Sequence, residues 1–217
     1  MARRIPLRRL ASTRAGRQVA RTAWRWQYRW GPRLRSSLRR RWLLLSHPYT
    51  DIRFEGPVYL GPRFSLHAPM GGTLVVGAGT QFRRGFHLEL GHQARVTIGR
   101  DCVFTHDALV QCSTSIDIGD RCNFGQALMI VDGNHRYRDP DVPLLEQGYD
   151  FRPIRIGDDA TVLTKCTIVA DLGRKAMVAA NAVVTRPVPE FTVVGGVPAR
   201  EIEYYGPPRV SPVDSPG

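Results

Sequence analysis

The chain has 217 residues, 42 % of them hydrophobic, and a formal charge of +12, which suits one globular domain with extensions. The charge is uneven: residues 1–42 hold 14 Arg and no acidic residue, so the remaining 17 basic residues stand against all 19 acidic ones. The body therefore has no basic stripe for a nucleic acid, no stretch approaches the roughly 18 apolar residues needed to span a bilayer, and the N-terminus has no uninterrupted apolar run of signal-peptide type. The expected location is the cytoplasm, or at most the surface of a membrane.

Residues 1–50 form a basic amphipathic extension. Val19, Ala23, Trp26, Trp30, Leu34, Leu38, Trp42 and Leu45 recur at spacings of three and four, so a helix puts them on one stripe with Arg on the other faces. Gly31-Pro32 predicts a break into two helices there. Trp on an Arg-rich helix is the composition of a segment that lies in a membrane interface, where each cation near an anionic surface contributes about 1 kcal/mol. Three readings of residues 1–46 stand side by side: an anionic membrane surface, a helix packed on the base of the body or on a neighbouring subunit, and a targeting segment.

Residues 51–203 carry a repeat. An apolar residue followed by Gly occurs at Leu60-Gly61, Val76-Gly77, Ile98-Gly99, Ile118-Gly119, Ile156-Gly157 and Leu172-Gly173. From the second pair onward, four places after the apolar residue stands a small one: Thr80, Cys102, Cys122, Ala160 and Ala176. The steps scatter around eighteen residues, three hexads, with the 38-residue step read as two turns plus a small insertion. A fixed period of this kind predicts stacked turns, each with three short flat faces. Cys102, Cys122 and Cys166 fall on small inward positions and read as reduced core residues, whereas Cys112 is out of that register and is expected at the surface. From Asp132 to Pro153 the pattern gives way to a polar, Pro-containing excursion, the kind of loop on which chemistry sits. Residues 204–217 read as a Pro-rich tail.

Two segments resemble the hexapeptide-repeat acyltransferases, specifically the sugar and polysaccharide O-acetyltransferases. The first is Asp132-Gly-Asn-His-Arg-Tyr-Arg-Asp-Pro with Gln147-Gly148 and Pro153-Ile-Arg-Ile-Gly-Asp158 after it. The second runs from Ala176 to Gly-Val-Pro-Ala-Arg200. The resemblance implies an all-β repeat fold, a left-handed parallel β-helix, assembled as a homotrimer and using acetyl-CoA as donor. It makes His135 the general base, a role that suits imidazole because its unperturbed pKa is near neutrality. Asp132 is left with three roles: orienting the imidazole, binding a sugar hydroxyl, or capping the loop. Thr164, Ala180, Thr185, Arg186 and Arg200 match the family's coenzyme contacts, and the two arginines suit phosphates. The chain departs from the family at Thr161-Val162-Leu163, where Trp-Ile-Gly is usual, and at the short stretch Val169-Ala-Asp171. The acceptor implied is a sugar or cell-envelope glycan, and a basic extension lying on a membrane would suit a lipid-linked one; no metal is expected. Two competing readings remain: a γ-carbonic-anhydrase-like zinc enzyme using His67, His87 and His92, and a non-catalytic β-helix scaffold.

Overall fold

The computed structural model describes residues 14–208; residues 1–13 of the basic extension and 209–217 of the tail lie outside that range. Helix α1 spans Arg14–Arg25, a five-residue π-helical turn follows at Trp26–Trp30, and helix α2 spans Gly31–Ser46. The expected break at Gly31-Pro32 is replaced by this wider turn. Proline carries no N–H and its ring crowds the carbonyl four residues back. Here the Gly31 N–H reaches Trp26 O instead, and Gly31 keeps helical angles (φ −58°, ψ −46°), so the helical path continues.

After α2 the chain winds through short strands that visit three sheets in turn. Thr50–Phe54, Gly72–Val76, Arg95–Ile98, Ser115–Ile118 and Ile154–Ile156 stack in parallel as the first face. The second face runs from Tyr59–Leu60 to Thr192–Gly195, and the third from Ser65–His67 to Val183–Val184. Inward residues form columns, each pairing with its counterpart one rung on: Leu60, Phe82, Phe104, Phe124, Val162, Val178 and Val194 on the second face. Most of these strands, two to five residues long, bury one residue in two, such as His87–Leu90, Arg95–Ile98 and Ser115–Ile118, which is the alternation the pleat dictates.

Phe82, Phe104 and Phe124 stack down this column with ring centroids 5.1 and 4.4 Å apart. Thr80, Cys102, Cys122, Ala160 and Ala176 are fully buried beside them, as the thin positions of the hexads predict. Cys112 corrects its expected exposure. It ends the strand Leu109–Cys112 on an inward position and is buried, because residues 110 and 112 face in together.

Rung length also differs from eighteen. Ile118 pairs directly with Ile156, so the 38-residue step is a single rung whose corner has been replaced by the whole excursion. Leu60 pairs with Phe82 and not with Val76, which lies on another face, so the first apolar-Gly step does not measure a rung. The glycine after each aliphatic residue has a packing cause. A Cβ on Gly77 would sit 2.6 Å from the backbone of Gly99 and Arg100, and one on Gly119 would sit 2.7 Å from Asp158 N. The marker thus records where one rung's corner passes directly beneath the next.

Two residues further on, Asp101, Arg121, Asp159 and Lys175 take left-handed angles (φ 55–59°) to turn the corner. Each donates its N–H to the preceding rung, as Arg121 does to Arg100 O at 2.7 Å. Carboxylates add to these rung-to-rung ties. Asp120 accepts the N–H of Arg100 (2.8 Å), Asp158 that of Asp120 (2.9 Å) and Asp171 that of Arg155 (2.8 Å). The Arg100 backbone and guanidinium hold the Asp120 carboxyl below the usual carboxylate range.

The first rung leaves an open strand edge, and α2 closes it. Leu60 N–H donates to Ser36 Oγ at 2.8 Å, Arg39 donates to Leu60 O, and a His47 ring nitrogen meets Leu66 O at 3.1 Å. Leu43 packs into the core end. A covered edge cannot template further strand pairing.

Candidate active site

The excursion leaves the third face after Met129–Val131 and rejoins the first at Ile154. Its neck is an antiparallel pair, Gly133–His135 against Tyr149–Phe151, with His135 opposite Tyr149. Beyond the neck, the Gln147 side chain ties the loop to itself, accepting from Asp139 N (3.1 Å) and donating to Asp139 O and Val142 O (both 2.8 Å). Arg136 Nε donates to Asp150 Oδ1 at 2.7 Å across the neck.

His135 is half-buried, its ring 4.4 Å from that of Tyr149, which in turn stacks on Phe151 at 5.5 Å. Its Nδ1 is enclosed and makes no hydrogen bond within the chain. The residue sits between two crevices. One, of 370 Å³, is walled by Gln111, Ser113 and Val131 of the third face together with Tyr149 and Phe151. The other, of 550 Å³, is walled by the outer excursion from Arg136 to Gln147.

Asp132 stands apart from those crevices in chemistry. Its carboxylate is buried: Oδ1 accepts from Ser113 N (2.7 Å), and Oδ2 accepts from Thr114 N (2.6 Å) and Thr114 Oγ1 (2.8 Å). This is the same rung-to-rung tie that Asp120, Asp158 and Asp171 make. Of the three roles open to it, loop capping is the one these bonds describe. The Cys112 thiol lies 3.6 Å from Oδ2, and burial together with that carboxylate pushes its pKa up.

The candidate coenzyme positions divide between two edges of the prism. Thr185 and Arg186 follow the third-face strand Val183–Val184 and lie at the corner between the third and first faces, the corner from which the excursion springs on an earlier rung. Thr164 and Ala180 lie on successive rungs at the corner between the second and third faces, linked by the bond Asn181 N–H to Thr164 O (2.9 Å). Thr164 Oγ1 is buried without a partner. Arg200 opens the last strand, Arg200–Tyr204, antiparallel to Thr192–Gly195. Arg186, Arg200 and Ala180 are exposed, and neither arginine is paired with a carboxylate among the described residues. The structure therefore brings His135, Thr185 and Arg186 to one edge and sets Thr164 and Ala180 across the width of the third face.

The zinc alternative gains no support from the placement of its residues within one protomer. His87 is engaged by Ser65 Oγ at 2.6 Å and by Glu89 at 3.2 Å, and no group of three metal-ligating side chains occurs among the described residues. His67 and His92 are exposed. Gln111, which walls the inner crevice and donates to Glu89 Oε2 at 3.0 Å, was invisible to sequence reasoning because nothing but its register on the third face marks it.

No protein-family model matches the chain. A probable acetyltransferase of Mycobacterium tuberculosis is 27 % identical over 162 residues, which are 73 % of this chain but 53 % of that protein, so the match spans about half the relative's length. Among solved structures, AntD, an N-acyltransferase from Bacillus cereus in complex with dTDP and 3-hydroxybutyryl-CoA, superposes with a TM-score of 0.60 at 14 % identity, covering 76 % of this chain and 88 % of that one. A point mutant of the same enzyme, in complex with dTDP-4-amino-4,6-dideoxyglucose and coenzyme A, gives 0.60 at 13 % identity over 77 % and 89 %. The shared fold is the left-handed parallel β-helix.

Proposed function

From the repeat and fold that this chain shares with the hexapeptide-repeat acyltransferases, we propose that it moves an acyl group from acyl-coenzyme A to a hydroxyl of a sugar or cell-envelope glycan, with His135 as general base. The observation that carries this reading is the position of one imidazole between two crevices, room for two substrates to meet at one proton acceptor. In the reaction the acceptor hydroxyl gives its proton to His135 as its oxygen bonds to the thioester carbon. The carbon–sulfur bond then breaks, and the imidazolium returns the proton to the departing sulfur. A cysteine acyl-enzyme is disfavoured, since the four cysteines are all buried, and direct attack by the acceptor oxygen needs none. A positioned base contributes about 10²–10⁴ in rate, and most of the remainder comes from holding both substrates together.

Residues suited to the donor are present. Arg186 and Arg200 offer exposed cations for phosphates, Ala180 leaves backbone approachable, and Thr164 has a hydroxyl without a partner. Their division between two edges supports a homotrimer, in which the His135 edge of one protomer faces the Thr164–Ala180 edge of the next. We place the protein in the cytoplasm, with residues 1–46 meeting the inner face of a membrane that holds a lipid-linked acceptor.

The test is release of free thiol from acetyl-CoA and longer acyl-CoAs across a panel of hydroxyl sugars, glycans and amino sugars. Acceptor-dependent release with hydroxyl acceptors supports the reading. Turnover confined to amino sugars overturns the oxygen as nucleophile, and no release with any acyl chain length favours a non-catalytic β-helix.

A further inference from the structure

The helix that closes the first rung has two opposite faces with opposite fates. Ser36, Arg39, Arg40, Leu43 and His47 make the contacts with the coil. At about 100° per residue, Ser36 and Leu45 are nine positions, hence about half a turn, apart around the axis. Leu34, Leu38, Trp42 and Leu45 consequently point away from the body, and they are 51, 55, 71 and 77 % exposed. The stripe continues past the π-helical turn through Trp30 and Trp26 to Val19, all exposed. The amphipathic stripe of the sequence is thus not the face that packs on the coil.

We infer that this outward stripe docks on an anionic lipid bilayer and that the β-helix stands on the membrane by its first rung; the inference extends the acyltransferase reading but the docking itself does not depend on it. Charge selects the occupant. Residues 1–42 carry 14 Arg and no carboxylate, so a second copy of the same helix would bring cation against cation, whereas an anionic headgroup layer answers both the stripe and its flanking Arg. No helix among the described residues is long and apolar enough to cross the bilayer, which leaves the helix lying in its surface.

This orientation fixes a height. The Leu60 N–H that Ser36 accepts points out of the end of the stack, so α2 lies across the coil axis and the bilayer plane does too. Asn123 lies on the fourth rung, three steps from Tyr59. Three steps of about 4.8 Å plus a helix about 10 Å thick put that rung about 25 Å above the lipid. The crevice beside His135 is walled by Gln111 and Val131 of the third and fourth rungs, at nearly the same height. A lipid-linked acceptor must then be an extended glycan whose reacting hydroxyl stands several sugars from its anchor, not a hydroxyl at the headgroup.

The experiment uses the full chain. All four Trp lie between residues 24 and 42, so intrinsic tryptophan fluorescence reports on this helical segment alone. With vesicles of phosphatidylglycerol and phosphatidylcholine, co-sedimentation and a blue shift of the emission are expected; both are lost in high salt and with phosphatidylcholine alone. The variant Leu34→Gln/Leu38→Gln/Leu45→Gln is expected to lose at least ten-fold in vesicle affinity with an unchanged melting temperature. Equal binding by that variant, equal binding to neutral vesicles, or no binding by the wild type overturns the docking. So does a wild-type oligomer that the triple variant dissolves, since a second copy would then cover the stripe. For the height, Asn123→Cys carries a fluorescent donor selectively, because the native cysteines are buried. Energy transfer to labelled headgroups is expected to report about 25 Å, and a value under about 10 Å, the thickness of the helix alone, overturns the upright placement. None of these readouts requires acyl transfer, so their failure is distinct from failure of the catalytic reading.

Discussion

Thr114 gives both its backbone N–H and its hydroxyl to one oxygen of Asp132, at 2.6 and 2.8 Å, and so pins the excursion three residues before His135 to the rung beneath. Replacing the carboxylate leaves buried donors on Ser113 and Thr114 unanswered, at a cost of about 1–3 kcal/mol each when unsatisfied. Asp132→Ala is therefore expected to lower the melting temperature by several degrees. Asp132→Asn is expected to be nearly as harmful, because whichever way its amide turns, the NH2 donor faces a buried N–H, that of Ser113 or that of Thr114. Thermal unfolding of both variants checks this; an unchanged melting temperature with impaired turnover would instead mark Asp132 as a substrate contact.

The phenylalanine column makes a second prediction. Phe104 lies between Phe82 and Phe124 and touches Phe86 edge-on at 5.0 Å. Phe104→Ala removes a fully buried ring from a stack that cannot collapse without drawing two rungs together, and is expected to cost about 3–5 kcal/mol. Phe104→Leu, which refills most of the volume, should cost less than half of that. Urea unfolding midpoints measure the difference.

The same columns show what a reader of the sequence can and cannot recover. The thin inward positions were legible because Cys102, Cys122, Ala160 and Ala176 stand at a constant offset from an aliphatic-Gly pair, and the pair itself records the tight passage of one rung over the next. Rung length was not legible. Residues added at corners change the spacing without changing any inward residue, and the 38-residue step hides one rung and an excursion, not two rungs. Phe82, Phe104 and Phe124 recur at 22 and 20 residues, a signal present in the sequence but masked by counting in eighteens. At Gly31-Pro32 a local rule failed because a helix can widen by one residue instead of stopping. His135 was singled out through its motif, and the structure places it between two crevices. The tie made by Asp132 was not legible, since a carboxylate's partners on a neighbouring rung depend on register alone.

Burial of all four cysteines yields a third prediction. Cys112 and Cys166 are pushed toward the protonated form by burial, and a thiol that is neither ionised nor accessible does not react. Folded protein is expected to show no fast reaction with a disulfide reagent such as DTNB, and four equivalents after denaturation, one for each cysteine. A rapid first equivalent in native buffer would contradict the inward register of Cys112.

The imidazole at the mouth of the excursion carries the whole catalytic reading. The decisive measurement is acetyl-CoA turnover, with an accepted hydroxyl acceptor, by wild type and by His135→Ala, alongside the melting temperature of each. Loss of a general base predicts a fall in kcat of about 10²–10⁴ with the melting temperature preserved. A His135→Ala enzyme that turns over at the wild-type rate would contradict the assignment outright.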